Sequence, residues 1–281
     1  MPQSALRLGE RIGPFEGRLG AERLRAFAAA TKDPSWREPP GSDVPACAVA
    51  TLLWTAQTES RVRLIPQPFQ ESAAGGVHGE HEITLHRNIE LGETLFTWVE
   101  GVGTRPVGRN SVVTLRYLTF DTESRLVAEQ WWTTVWLGVT CAATGDSAPA
   151  HAFPTSVRRR PTGTWEIDVE AHMARHYAEA SGDWSPHHFD ADAARQSGSA
   201  RPFLHGLCAL ALCARGAVET LGAGSQATLR RIAVRFARPL PLDARLSVQF
   251  YEAGEGVYAF EAASDDTLVI SNGRVELVAV G

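Results

Sequence analysis

Two stretches of this chain, 150 residues apart, are the same segment written twice, and this narrows the possible folds more than any other feature. AERLRAFAAATKDPS (21–35) and AHMARHYAEASGDWS (171–185) share Ala21/Ala171, Arg25/Arg175, Ala28/Ala178, Ala30/Ala180, Asp33/Asp183 and Ser35/Ser185. Phe27/Tyr177 and Thr31/Ser181 are conservative exchanges. Self-similarity at one fixed offset means a repeated structural unit. The residues downstream of each copy agree. Segments 44–64 and 203–221 are apolar on nearly every face, which predicts a helix surrounded by protein. Strands are predicted after the first helix near 82–88, 94–101, 111–120 and 127–137. After the second they fall near 229–236, 245–252, 256–263, 267–271 and 274–279. VVTLRYLTF and RLSVQFYEA alternate as a half-buried sheet requires.

A sheet with one apolar face must cover it, and a long apolar helix must be enclosed. Wrapping the one around the other meets both demands. The expected fold is therefore α+β, a double hot-dog, with two antiparallel sheets each wrapped around a long central helix. The expected units are 1–140 and 164–281, joined by a linker at 141–163 rich in small residues, proline and charge. At 281 residues the chain accommodates two such units. Trp131 and Trp132 are adjacent in a strand, so one must point away from the core and implies a covered outer face.

The net charge of −5 argues against a broad basic surface for nucleic acid or anionic membrane. No apolar run reaches the roughly 20 residues of a membrane span, and the start lacks a signal-peptide layout, so a cytoplasmic protein is expected. Cys47, Cys141, Cys208 and Cys213 show no CxxC spacing and are expected to be buried free thiols.

The stretch YAEASGDWSPHHFDADAARQSGSARPFLHG (177–206) carries the chemistry. Gly182 suits a helix end that needs positive φ, and Pro186 turns the chain. Asp183 and His188 then lie on one loop, able to face one cavity. This segment resembles the signature of (R)-specific enoyl-CoA hydratases, the MaoC-like or hydratase 2 family: S-G-D-x-N-P-[apolar]-H-x-D, then an HG pair opening the central helix. Ser181, Gly182, Asp183, Pro186, His188 and Asp190 match it, followed by His205 and Gly206. Ser185 stands where the family has Asn, and His187 where it has an apolar residue.

The resemblance implies that Asp183 and His188 hold a water and shuttle protons in syn hydration of a trans-2-enoyl thioester. It also implies that the Gly206 N–H serves as oxyanion hole, with Ser181, Gly182, Ser185, Pro186, Asp190 and His205 supporting the site. No metal and no cofactor are implied. The implied substrate is an acyl-CoA or an acyl-carrier-protein thioester, and a homodimer is compatible. A catalytically silent acyl-thioester binder, a thioesterase and a cyclase stay open as alternatives. The first half looks degenerate: Glu38 aligns with His188, and no HG pair opens 44–64. His78, His81 and His86 have no compact metal-site spacing, and Arg158, Arg159 and Arg160 are expected to be solvated.

Overall fold

A computed structural model describes residues 4–34, 36, 44–158, 160–222 and 227–279. Ser35, Glu38 and Arg159 lie outside the described residues. The helices are α1 (Ala21–Thr31), α2 (Leu53–Leu64), α3 (Gln67–Ser72), α4 (Ala171–Ser181), α5 (Ala191–Gln196) and α6 (Gly206–Leu221). The strands of the first half are β1 (Arg11–Arg18), β2 (Gly75–Leu85), β3 (Thr94–Val107), β4 (Asn110–Phe120) and β5 (Leu126–Leu137), with the short β6 (Thr144–Gly145) after them. Those of the second are β7 (Gly163–Val169), β8 (Ala227–Phe236), β9 (Ala244–Gly254), β10 (Val257–Ser264) and β11 (Thr267–Ala279).

The strands form one continuous sheet rather than two, in the order β1-β3-β4-β5-β2-β8-β11-β10-β9-β7. Read from either end the order is the same, with β1, β3, β4, β5 and β2 answered by β7, β9, β10, β11 and β8. The repeat is thus structural. The halves join where β2 pairs antiparallel with β8 from Glu80↔Arg235 to Thr84↔Arg231. Pairing these two strands removes the exposed inner edge that each half-sheet would otherwise leave. The repeat extends to detail: Lys32 and Gly182, which cap α1 and α4, are both left-handed. Thr31 and Ser181 each bond back to a carbonyl four residues earlier. The rings of Phe27 and Tyr177 meet at 6.4 Å where α1 packs on α4.

Helix α6 is one uninterrupted α-helix with Leu207–Ala214 buried throughout. Its counterpart is not. The span read as a helix over 44–64 is a 3₁₀ segment over Ala46–Leu52 followed by α2. Thr51 lies close to the junction of the two. Its hydroxyl bonds the carbonyl of Ala48 at 2.7 Å, and its own carbonyl accepts from Arg23 at 2.8 Å. Both bonds compete with the regular i→i−4 ladder.

Strands β1 and β7 are absent from the sequence reading. Pro14 breaks the alternation in RIGPFEGR, and β1 lies at the sheet edge, where a missing N–H is tolerated. The two strands expected at 267–271 and 274–279 are one strand, irregular between Ser271 and Arg274. Trp132 faces inward and is buried, while Trp131 is half-buried outside, under the Arg116 guanidinium at 5.3 Å. The segment after β5 crosses the sheet. Thr144 pairs with Thr104, His151 Nδ1 bonds the Asn272 carbonyl at 2.7 Å, and Phe153 meets Tyr251. Arg158 bonds Glu261 at 2.6 Å instead of being freely solvated. All four cysteines are free and buried. No helix among the described residues is long and apolar enough to cross a membrane.

Candidate active site

Helix α4 ends because Gly182 takes φ 83°, a left-handed value that lets the chain turn at once. Asp183 comes next. Its Oδ1 accepts from the Ser185 N–H at 3.0 Å and from the Ser185 hydroxyl at 2.5 Å. One carboxylate oxygen is thereby committed to the loop and the other left for the cavity. Serine in place of the family's asparagine still ties the loop to Asp183, through two donors on one residue. The Asp183 N–H in turn donates to Ser181 Oγ at 3.2 Å.

Pro186 opens a single 3₁₀ turn over Pro186–His188 that brings the His188 ring back over the loop. His188 Nδ1 lies 2.8 Å from the Phe203 carbonyl, which can only accept, so Nδ1 carries the proton. The lone pair is then on Nε2, 4.0 Å from Asp183 Oδ2. A gap of that size between two acceptors suits one water donating to both. The ring is 4% exposed, and burial, with His205 and His187 nearby, lowers its pKa to about 3.

His205 ties the loop to the central helix. Its Nε2–H donates to the Asp183 carbonyl at 2.9 Å, and its ring stacks on His188 at 3.6 Å between centroids. Burial lowers it to about 4, so it is a neutral platform rather than a cation. Gly206 is the first residue of α6, where the initial N–H groups have no partner within the helix and the dipole favours an anion. A Cβ there would stand 3.2 Å from the Phe236 ring, so glycine also serves the packing of α6 on β8.

The structure thus brings Asp183, His188, His205 and Gly206 to one place, with Ser181, Gly182, Ser185 and Pro186 shaping the loop. Asp190 braces the segment that follows by capping α5, its Oδ1 accepting from the Ala193 N–H at 2.8 Å. His187 is half-buried and stacks on Phe203 at 5.1 Å. Phe203, Tyr177 and Phe236 were missed as site residues. The first acts through its backbone, and Tyr177, whose ring lies 5.0 Å from His205, reads in sequence as helix packing. Asp183, His188 and His205 also offer three ligand atoms within 4.8 Å of one another. The 4.0 Å between Asp183 and His188 exceeds the edge of about 3.4 Å that tetrahedral zinc would set. A water fits that spacing without movement.

Residues 142–270 match the MaoC like domain family. The chain is 32% identical over 215 residues to the 3-hydroxyacyl-thioester dehydratase Y of Mycobacterium tuberculosis, covering 72% of this chain and 73% of that one. Among solved structures, a MaoC-like dehydratase from Phytophthora capsici superposes with a TM-score of 0.79 at 18% identity, covering 98% of both chains. A Mycobacterium tuberculosis protein described as having a double hot-dog fold superposes with a TM-score of 0.59 at 18% identity, covering 98% of this chain and 97% of the other.

Proposed function

The chain belongs to the MaoC-like dehydratase family, and from that premise we propose that it is a hydro-lyase interconverting trans-2-enoyl thioesters and (R)-3-hydroxyacyl thioesters. The observation that carries this reading is the 4.0 Å gap between Asp183 Oδ2 and the unprotonated Nε2 of a buried His188. A water donating to both atoms points its lone pair outward, toward C3 of a bound enoyl group. As the C3–O bond forms, one proton of that water passes to His188 Nε2, and the imidazolium is stabilised by the Asp183 carboxylate. The same proton then goes to C2 from the same face, so addition is syn and atoms balance. Between these steps negative charge rests on the thioester oxygen. The amino end of α6 at Gly206 supplies N–H groups for it. The reverse sequence is dehydration, and the residues set no direction.

In this reading each half-sheet wraps its own central segment. Residues 1–140 and 164–281 are the two units with 141–163 between them, and the first half completes the pocket without an acid–base pair of its own. The substrate is an acyl-CoA or a carrier-bound acyl thioester. The direct test is incubation with a short trans-2-enoyl-CoA. Hydration removes the ultraviolet absorbance of the conjugated thioester while no free thiol appears. Thiol release without hydration would make the protein a thioesterase instead.

The pH profile is set by the site. His188 acts with Nε2 unprotonated, and a pKa lowered to about 3 keeps it so far below the ordinary histidine value of 6.5. Lowering the pKa extends the active form toward acid. The profile of kcat/KM is therefore expected to stay flat from neutrality to roughly pH 5, with no acid limb near 6.5. An acid limb centred near 6.5 would contradict the buried, neutral His188.

A further inference from the structure

Two histidines on α4 lie outside the catalytic loop, and the reaction as derived makes no use of them. His172 and His176 are four residues apart, which puts their side chains one above the other on one helix face. Roughly 8 Å of helix lies between His176 and the end of α4 at Ser181. The two ring centroids are 5.5 Å apart. Both rings are open to solvent, with side chains 49% and 35% exposed. Each has a carboxylate against the same ring nitrogen. His172 Nδ1 is 3.2 Å from Glu170 Oε2, and His176 Nδ1 is 3.2 Å from Glu179 Oε2. A carboxylate only accepts, so Nδ1 carries the proton in both rings and the lone pair is on Nε2. Glu170 is itself held in place by Lys32, which donates to its Oε1.

Glu170 precedes His172 at the amino end of α4, and Glu179 follows His176 toward the carboxyl end. The two Nδ1 atoms are therefore drawn apart along the helix, which turns the Nε2 sides of the rings toward each other. Two imidazoles holding one tetrahedral zinc ion through Nε2, each at about 2.0–2.1 Å, stand roughly 5.3 Å apart between centroids. The observed 5.5 Å meets that spacing with the backbone left where it is. A histidine whose Nδ1–H is held by a carboxylate is also the usual form of a metal-binding histidine. The carboxylate fixes the tautomer and makes Nε2 the stronger donor. Helix packing does not ask for these residues. The first repeat carries Glu22 and Ala26 at the same places, and α1 forms there all the same.

We propose that His172 and His176 form a surface site on α4 for one divalent transition-metal ion of the Zn²⁺ type, bound through both Nε2 atoms, with Glu170 and Glu179 orienting the rings. Two protein ligands leave the remaining positions to water, so the ion exchanges with solvent and staples one turn of the helix. Imidazole donors suit zinc, copper and nickel, whereas magnesium and calcium require oxygen.

The test is calorimetric titration of the untagged chain with zinc chloride, repeated with copper and magnesium chlorides. One Zn²⁺ per chain is expected to bind, Cu²⁺ more tightly, and Mg²⁺ not at all. Zn²⁺ is also expected to raise the melting temperature, because it binds the folded helix and not the unfolded chain. Loss of an outer carboxylate partner typically weakens a metal site by roughly 10- to 100-fold, so Glu179→Gln is expected to fall in that range and His172→Gln or His176→Gln at or beyond its upper end. Both histidine variants are exposed-site changes and should keep the metal-free melting temperature and the hydration rate. Zinc binding that survives undiminished in both of them belongs to another site and overturns the proposal. So does a titration to millimolar Zn²⁺ that shows no binding, which would leave the two histidines as ordinary surface pairs with their glutamates. Equal binding of Mg²⁺ and Zn²⁺ would likewise exclude an imidazole site.

Discussion

Asp183→Asn is expected to lower kcat on a short trans-2-enoyl-CoA by roughly 10³-fold, within the range that a positioned acid–base group supplies. The exchange is nearly isosteric. The amide oxygen can still accept from the Ser185 N–H and hydroxyl, as Oδ1 does now, so the loop keeps its shape. What changes is the atom facing His188. An NH₂ replaces Oδ2, a donor where the water needs an acceptor, and the negative charge that stabilises the imidazolium is gone. His188→Ala is expected to cost about as much. It also leaves the Phe203 carbonyl without its ring N–H partner, so its melting temperature must be measured alongside. KM should move little in either variant, because neither residue is asked to grip the acyl chain. The double variant should be scarcely worse than either single one, since the two residues act on one water. Folded single variants that keep more than about a tenth of the rate would mean the site is misassigned.

The second large effect lies at the seam. Arg231 on β8 makes two hydrogen bonds of 2.8 Å to the two carboxylate oxygens of Glu82 on β2, and a third of 3.1 Å to Glu276 on β11. Glu82 is 4% exposed. Arg231→Met would leave that carboxylate buried with no counter-charge, a change that typically costs about 3–5 kcal/mol. For a chain of this size that corresponds to roughly 5–9 °C in melting temperature. Replacing both partners, Glu82→Leu with Arg231→Met, removes the stranded charge and is expected to recover most of the loss. Equal losses in the single and double variants would show that the pair contributes packing only. Activity is the second readout. Phe236 continues the same strand and lies against Gly206, so a loosened seam should raise KM before the protein unfolds.

Much of this arrangement was legible from residue order. The 150-residue repeat anticipated two halves built from the same succession of elements, because similar patterns in one chain bury the same faces in the same way. The loop around Asp183 was legible because Gly182 and Pro186 restrict the backbone locally, and local restrictions survive into any fold. The edge strand β1 escaped notice because Pro14 is permitted there only by its position at the sheet margin, which no local pattern reveals. The 3₁₀ segment before α2 escaped notice because Ala46–Leu52 is as apolar as a regular buried helix would be, and the Arg23 bond to the Thr51 carbonyl comes from another helix.

Residue types and spacing alone thus determined a duplicated architecture, an inward-facing apolar helix in the second half, and a loop able to present a carboxylate and an imidazole together. Tertiary structure decided the rest. It fused the half-sheets through β2 and β8 and aimed the His188 lone pair by supplying the Phe203 carbonyl. Each of these depends on a partner far away in the chain. Backbone preference acts over a few residues, whereas burial and hydrogen bonding are settled only when distant segments meet.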